Sequence, residues 1–364
     1  VLPDTFENLP QVSNKDLLRL KQYTLVSGDI VFSRVGSIDI NAEVGSKQNG
    51  WLFSGRVLRV RLVKEASANF MHFCLSTKTV RDSIISRSVG QTMPSINTLI
   101  LKETKISYPA QLNEQSRIAE FFKTLDNLIA ACERKVELLK KRKRYYLQQI
   151  FSQRLRFKGF TQPWQERKLE NLFNFEVRTN TISRERLTTQ PSSVQDIHYG
   201  DVLIKYSSVT NVSKERIPYI ISANKTDFLK DSLQNGDVIV ADTAEDETVG
   251  KATEIQGINR QIVVSGLHTI VLRPTQEASA GFFGYLINSP VFHQTLYPLM
   301  QGVKVLSINK SSLSLVQIKT TYSLPEQSQI TDFLLLLDSE IAKQIVKINL
   351  TKQLKSAYLN DLFI

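Results

Sequence analysis

Leu112-Asn113-Glu114-Gln115-Ser116-Arg117-Ile118-Ala119-Glu120-Phe121-Phe122 decides how this chain is read, because its frame returns 212 residues later as Leu324-Pro325-Glu326-Gln327. In the same register Ser95-Ile96-Asn97 returns as Ser307-Ile308-Asn309, Leu125-Asp126 as Leu337-Asp338, and Phe151 as Phe363. Further upstream the match continues with small slips. Gly28-Asp29-Ile30-Val31 answers to Gly236-Asp237-Val238-Ile239, Ser54-Gly55 to Ser265-Gly266, and 68–75 to 280–287. A period this long is a domain duplication and not a solenoid. The repeated unit is a mixed globular segment followed by one long helix. Val1 aligns near Val209, whereas the second unit opens near Trp164, so the first copy is expected to be shorter by about 45 residues and to miss any strand they supply.

Composition agrees with two heads. At 364 residues the chain is long enough for two domains, each with its own core. A formal charge of +11 suggests a polyanionic partner. Its distribution is more telling, since 133–158 holds ten basic residues against Glu133 and Glu137, or +8 of that total. The two cysteines, Cys74 and Cys132, form no C-x-x-C pair and have Leu286 and Gln344 as counterparts, which points to a reducing cytoplasm and no structural zinc. No apolar run approaches membrane-span length, and residues 1–20 lack a signal-peptide pattern, so no membrane partner is expected.

Residues 1–108 read as short strands with turn chemistry. Gly28-Asp29 opens Ile30-Val31-Phe32, 57–63 alternates at period two, and helical stretches are expected over Phe70 to Ser83. The second unit repeats the order, with strands expected at Val202-Leu203-Ile204, 238–240 and 268–272 and a helix from Phe282. This is an α+β pattern. From Asn113 the period changes to alternating fours and threes, giving a heptad seam through Ile118, Phe122, Leu125, Ile129, Cys132, Val136 and Leu139. Its counterpart runs through Ile330, Leu334, Leu337, Ile341, Gln344 and Ile348. Polar members (Lys143, Lys355, Gln344, Thr351) weaken the seam but help to fix register. Each rod would span about 57 Å at 1.5 Å per residue. The residues alone permit parallel or antiparallel pairing; antiparallel pairing fits an internal pseudo-twofold repeat and is the expectation adopted.

The tails are similar to those of a known family. The Glu-Gln helix start at 114–115 running into Leu147-Gln148-Gln149-Ile150-Phe151, and its second copy at 326–327 running into Leu359-Asn360-Asp361-Leu362-Phe363, follow segments that carry the Gly-Asp strand. In order and interval the chain resembles the specificity (S) subunit of type I restriction-modification systems. The resemblance implies two target-recognition domains, 1–108 and 156–324, with conserved spacer helices at 109–155 and 325–364. Each domain would read one half of an asymmetric split sequence in double-stranded DNA. It also implies docking of two methyltransferase (M) subunits and, through them, restriction (R) subunits. No cofactor is expected in this chain: S-adenosylmethionine, and ATP with Mg, would belong to the partners.

Candidate DNA contacts are polar or basic side chains beside strand ends, which can reach groove edges from a fixed base. In the first head these are Arg34, Ser37, Arg56, Arg87, Gln91, Thr92 and Asn97; in the second, Lys205, Tyr206, Thr243, Lys251, His268, Lys304 and Asn309. Arginine suits guanine, and Gln or Asn suits adenine. Because Ser-Ile-Asn is shared, its expected role is a turn or a phosphate contact; base readers belong where the copies diverge, as in 34–37 against 242–245. The basic run 140–144 could contact phosphate or an acidic subunit, or simply be a solvated face. No H-E-x-x-H, G-x-S-x-G or P-loop pattern occurs, and the methyltransferase Asn/Asp-Pro-Pro-Tyr/Phe motif is absent, so no enzyme is expected. The acidic cluster Asp242, Glu245, Asp246 and Glu247 has no counterpart in the first head and reads as a solvated loop. The rival reading is a coiled-coil adaptor whose heads bind protein.

Overall fold

A computed structural model describes residues 9–63 and 66–363. The chain forms two compact units, Val1–Val136 with Lys343–Ile364, and Glu137–Ala342. Its order begins α1 (Asn14–Arg19), β1 (Ile30–Ser33), β2 (Asn41–Glu43), β3 (Val57–Val60), α2 (Ala68–Cys74), α3 (Lys78–Ile85), α4 (Thr98–Lys102) and α5 (Leu112–Phe151). It continues with β4 (Gln165–Lys168), β5 (Phe173–Asn174), β6 (Leu187–Thr188), β7 (Val194–Ile197), α6 (Tyr199–Ile204), β8 (Val209–Asn211), β9 (Tyr219–Ile220), β10 (Val238–Ala241), β11 (Thr243–Ala244) and β12 (Ala252–Gln256). The remainder is β13 (Ile262–Ser265), β14 (Thr269–Pro274), α7 (Phe282–Ile287), α8 (Pro290–Leu296), β15 (Leu306–Ser307), α9 (Lys310–Ser314), β16 (Gln317–Thr320) and α10 (Leu324–Asp361).

The first unit holds an antiparallel sheet in the order β2-β1-β3, and the second a five-stranded sheet in the order β5-β14-β10-β12-β8. The central strands β1 and β10 are the two Gly-Asp strands, and both start in the same way. Gly28 (φ 91) and Gly236 (φ 95) take the left-handed turn that suits glycine. Asp29 then accepts from Val26 N–H at 2.8 Å and from both Nε and Nη2 of Arg61 at 2.7 Å. Asp237 accepts from Gln234 N–H at 2.8 Å and from Arg273 Nε and Nη2 at 2.9 and 2.7 Å. Both carboxylates are buried, so each requires its bidentate partner. Burial alone would raise Asp29, but Arg61 and the Val26 bond bring it below the ordinary carboxylate value.

One sequence expectation is corrected here. The 202–204 stretch is the end of α6 and not a strand: the His198 ring accepts from Gly200 N–H at the helix start, and the fully buried Val202 sits beside an 89% exposed Ile204. The helical stretches expected over Phe70 to Ser83 are α2 and α3. Between them the Thr77 hydroxyl donates to Cys74 O at 2.8 Å and the Ser76 hydroxyl to His72 O at 2.7 Å, diverting the chain.

Each unit packs its own head on its own stretch of both long helices. In the first, Phe122 and Leu125 join Ile30, Phe32 and Phe70 in one core; in the second, Ile330, Leu334 and Leu337 join Val238, Leu272 and Phe282. Burying one such phenylalanine is worth roughly 1.5–3 kcal/mol. Gln115 fixes the helix start to the head by accepting from Ser67 N–H at 2.9 Å and donating to Pro109 O at 2.8 Å. Gln327 does the same with Ser279 N–H at 2.8 Å and Thr321 O at 2.6 Å.

The helices run antiparallel in both units, as expected from the pseudo-twofold repeat. In the first unit Asp126 meets Lys355 at 2.5 Å and Glu133 meets Lys352 at 2.8 Å; in the second, Lys143 meets Asp338 at 2.6 Å. Rising numbers on α5 thus face falling numbers on α10. The seam residues Phe122, Leu125, Ile129, Val136, Ile330, Leu334, Leu337 and Ile348 are buried, and Ile118, Leu139 and Ile341 half-buried.

Arg273→Leu should destabilise the second unit by about 3–5 kcal/mol in urea unfolding, because it leaves the Asp237 carboxylate buried without its cation. Arg61→Leu should cost visibly less, since Arg61 is half-exposed and water can take its place at Asp29.

Candidate nucleic-acid interface

Four residues beyond its pinned start, each central strand runs into a loop held by backbone bonds to two others. In the first unit Arg34 N–H donates to Arg56 O, Ile96 N–H to Arg34 O and Gly36 N–H to Pro94 O, all at 2.9 Å. The third loop is a hairpin closed by reciprocal bonds between Val89 and Ser95 at 3.0 and 2.8 Å. The second unit repeats this. Asp242 N–H donates to His268 O at 3.1 Å, Ile308 N–H donates to Asp242 O at 2.8 Å, and Gln301 and Ser307 exchange bonds at 2.9 and 2.8 Å. Gly90 (φ 99) and Gly302 (φ 113) turn the two hairpins, and a Cβ on either would strike the carbonyl of Met93 or Val305.

This shared frame carries different side chains. On the first platform Arg34, Ser37, Arg56, Gln91 and Thr92 are exposed, with Arg34 Nη1 donating to Gly55 O at 3.2 Å. A groove of about 600 Å³, lined by Val31, Val35, Ile40, Val57 and Met93, opens beside Arg56. On the second platform Thr243 donates to Asp242 at 2.7 Å, His268 Nδ1 lies 3.6 Å from the same carboxylate, and Lys304 is exposed on the hairpin next to the fully exposed Val303. The structure therefore brings together eight of the fourteen candidates, five on one platform and three on the other.

The other six are placed elsewhere. Asn97 and Asn309 are helix N-caps, accepting from Ile100 N–H at 3.0 Å and Ser312 N–H at 2.7 Å. Arg87 is spent on the end of α3, donating to Ser83 O at 2.9 Å and Thr104 Oγ1 at 2.6 Å. Lys205 donates to Arg216 O and lies 5.1 Å over the Tyr206 ring. Tyr206 is corrected outright: it is a buried core residue with no route to a groove edge. Half-buried Lys251 donates to Leu203 O at 2.6 Å, and burial, with Lys143 nearby, lowers its ammonium pKa.

Met93 and Val303, the apolar hairpin tips, were missed by reading only for polar groups; the 212-residue register that aligns Gly90 with Gly302 was the available signal. Of the basic run, Lys143 is held by Asp338, Lys140 pairs with Glu137 at 3.1 Å, and Arg142 sits 5.6 Å from the Tyr146 ring. Lys141 and Arg144 are exposed. Among the described residues no group of three or more His, Cys, Asp or Glu side chains is disposed to hold a metal ion, and no helix is long and apolar enough to cross a membrane.

Two loop platforms, each on a small sheet and each followed by a long helix, define a duplicated-head, helical-spacer class of protein. Residues 3–141 match the family described as type I restriction modification DNA specificity domain. The MjaX type I restriction enzyme specificity subunit of Methanocaldococcus jannaschii is 30% identical over 142 residues, which is 36% of this chain and 32% of that protein. The match thus spans about a third of the length of that relative. The S subunit of a type I restriction-modification system from M. genitalium has the same fold, with a TM-score of 0.59 at 14% identity over 94% of this chain and 85% of that one. So does a chain from a structure concerned with complex assembly and conformational transition of the type I R-M system. There the TM-score is 0.55 at 18% identity, over 92% and 81%.

Beneath the second platform's head lies a buried polar group. Asp196 accepts from Asn180 at 2.7 Å with one oxygen, while its other oxygen and the Tyr206 hydroxyl are buried without a partner among the described residues. Burial, aided by nearby Asp201, pushes Asp196 up to about 6 against the Asn180 bond. A folded-state value above the ordinary 3.8 means that the folded chain binds the extra proton, so Asp196 makes stability fall as pH rises from about 4 to about 6. Asp196→Asn should therefore gain on the parent chain across that window, by a difference on the order of 2–3 kcal/mol at neutral pH in urea titrations. Tyr206→Phe removes an unpaired buried hydroxyl and should leave stability in urea titrations unchanged or raise it by up to about 1 kcal/mol.

Proposed function

We propose that this chain is the non-catalytic DNA-reading subunit of a type I restriction-modification assembly. Each unit presents its three-loop platform to a major groove, and the two platforms read the two halves of an asymmetric split target. Helices α5 and α10 set the interval between the halves and offer faces to two methyltransferase subunits, through which restriction subunits join. S-adenosylmethionine belongs to the methyltransferases and ATP with Mg to the restriction subunits; the assembly works in the cytoplasm. The observation that carries the proposal is the repetition of one backbone frame under divergent side chains. A fixed frame sets the approach to a duplex, and divergent side chains are what reading two different half-sites requires.

The test is single-molecule sequencing of adenine methylation in cells that express this chain with its methyltransferase, compared with cells lacking the chain. A split asymmetric motif dependent on the chain is expected. Arg34→Ala with Arg56→Ala should relax one half-site, at about 1–3 kcal/mol per lost base contact, and leave the other half and the gap unchanged. His268→Ala with Lys304→Ala should do the reverse. Loss of both halves together in either variant would contradict separate reading.

One observation favours a second reading. The loop beyond Asp242 carries the exposed Glu245, Asp246 and Glu247, which repel phosphate and suit a basic protein surface. An adaptor of that kind would show no steep salt dependence with duplex DNA, whereas a DNA reader would lose affinity sharply as salt rises.

A further inference from the structure

In the second unit, where α5 and α10 meet the head, lies a groove of about 500 Å³. The helices line it with Lys140, Lys143, Arg144 and Asp338, and the head with Lys251 and Glu247. Two of these cations are already matched, Lys143 by Asp338 at 2.6 Å and Lys140 by Glu137 at 3.1 Å. The other two are not. Among the described residues Arg144 makes no hydrogen bond or ion pair, and the ammonium of half-buried Lys251 donates to a neutral carbonyl, Leu203 O, at 2.6 Å. Glu247, exposed on the loop beyond β11, is the remaining carboxylate of the lining and forms no ion pair with either among the described residues.

Taking an ammonium partly out of water without an anion is costly. Lys251 shows that cost, since burial and nearby Lys143 both lower its pKa. The first unit provides the comparison. Its corresponding groove, of about 620 Å³, keeps the frame: Lys352, Lys355 and Asp126 stand 212 residues from Lys140, Lys143 and Asp338. There the charges are matched. Lys355 meets Asp126, Lys352 meets Glu133 and Arg81 meets Asp39, while Lys78 shares the lining with Asp82. Ser356 stands in the place of Arg144. Ile40 stands in that of Lys251, its carbonyl accepting from Ser33 N–H as the Lys251 carbonyl accepts from Ala241 N–H. The frame is thus duplicated, and the unmatched Arg144 and Lys251 belong to the second copy alone.

We infer that the groove of the second unit binds a phosphate group, with Arg144 and Lys251 donating to its oxygens. Phosphate brings the charge that both cations lack, and its several oxygens accept from a guanidinium and an ammonium together. The group belongs either to the backbone of a duplex or to a free phosphate ester. Position favours the duplex, because the short loop that carries Thr243 on the platform also supplies Glu247 and Thr248 to the groove lining. That choice of source rests on the DNA-reading proposal; the phosphate chemistry does not.

The experiment titrates pyrophosphate into the full chain by calorimetry at low ionic strength, and follows a fluorescent random-sequence duplex by anisotropy across a salt series. One pyrophosphate per chain is expected, weakened about tenfold by Lys251→Met and by Arg144→Ser, each removing one charge-assisted bond. Glu247→Gln should tighten binding by relieving repulsion, and Lys352→Met in the first unit should leave it unchanged. Arg144 and Glu247 are exposed, and methionine keeps the apolar stem of lysine, so these variants keep the fold. If the phosphate is that of a duplex, Lys251→Met with Arg144→Ser also flattens the log–log salt dependence by about 0.9 per lost contact. If it is that of a free ester, the pyrophosphate loss remains and duplex binding is unaltered. A chain that bound pyrophosphate in this way but no duplex would refute DNA reading and leave the groove standing. Absence of saturable pyrophosphate binding, binding indifferent to both Lys251→Met and Arg144→Ser, or binding weakened by Glu247→Gln would each overturn the phosphate site.

Discussion

A carboxylate taken out of water must be met by a cation or by hydrogen bonds, and this chain uses that constraint twice. Asp29 and Asp237 sit at the first residue after a left-handed glycine, where each is gripped by an arginine from the neighbouring strand, Arg61 from beyond β3 and Arg273 from β14. The grip ties the start of the central strand to its neighbour in one register. Four residues later the strand ends in the loop that carries Arg34 or Asp242. A slip of one residue would turn the core face of the strand outward and re-aim that loop. The placement of the platform side chains thus depends on an ion pair within the sheet.

The two heads meet the same packing demand with different chemistry. In the second unit α7 lies so close to β8 and β12 that a Cβ on Gly284 would collide with Ser208 O, and the helix start is satisfied by buried Glu254, which accepts from the amides of Gly281 and Gly284. Burial raises the Glu254 pKa, and the amide bonds oppose that rise. In the first unit a histidine occupies the position of Gly284. His72 Nδ1 lies 2.7 Å from Asn41 Oδ1, and Asn41 donates to Ser76 at 3.0 Å, so a polar chain fills space that close approach eliminates in the other head. Divergence has therefore reached the core and not only the platform loops.

Much of this was legible in the sequence because duplication supplies its own control. The 212-residue register located both long helices to within a few residues, the two Gly-Asp strands, and the loops 34–37 and 242–245 whose side chains differ. Tyr206, Arg87 and Lys251 were not legible as interior groups, since a polar side chain beside a strand end looks the same in sequence whether it faces solvent or a carbonyl. Val202-Leu203-Ile204 misled for a related reason: three apolar residues read as a strand until the His198 cap shows that the chain has already turned into a helix. The buried Asp196 group gave no signal, because its donor Asn180 is distant in sequence and is itself tied to the still more distant Ser265.

The cross-helix lysine–aspartate contact has a consequence for how such a chain can be inherited. Each repeat carries one of each charge, Asp126 with Lys143 on α5 and Asp338 with Lys355 on α10, seventeen residues apart on both helices. A helix with this pattern is complementary to itself run backwards. Recombination that replaced one repeat with another of the same design would deliver a matched anion and cation to both contacts, whatever head came with it. The pairing of the helices is thereby set by charges that lie apart from the platform loops.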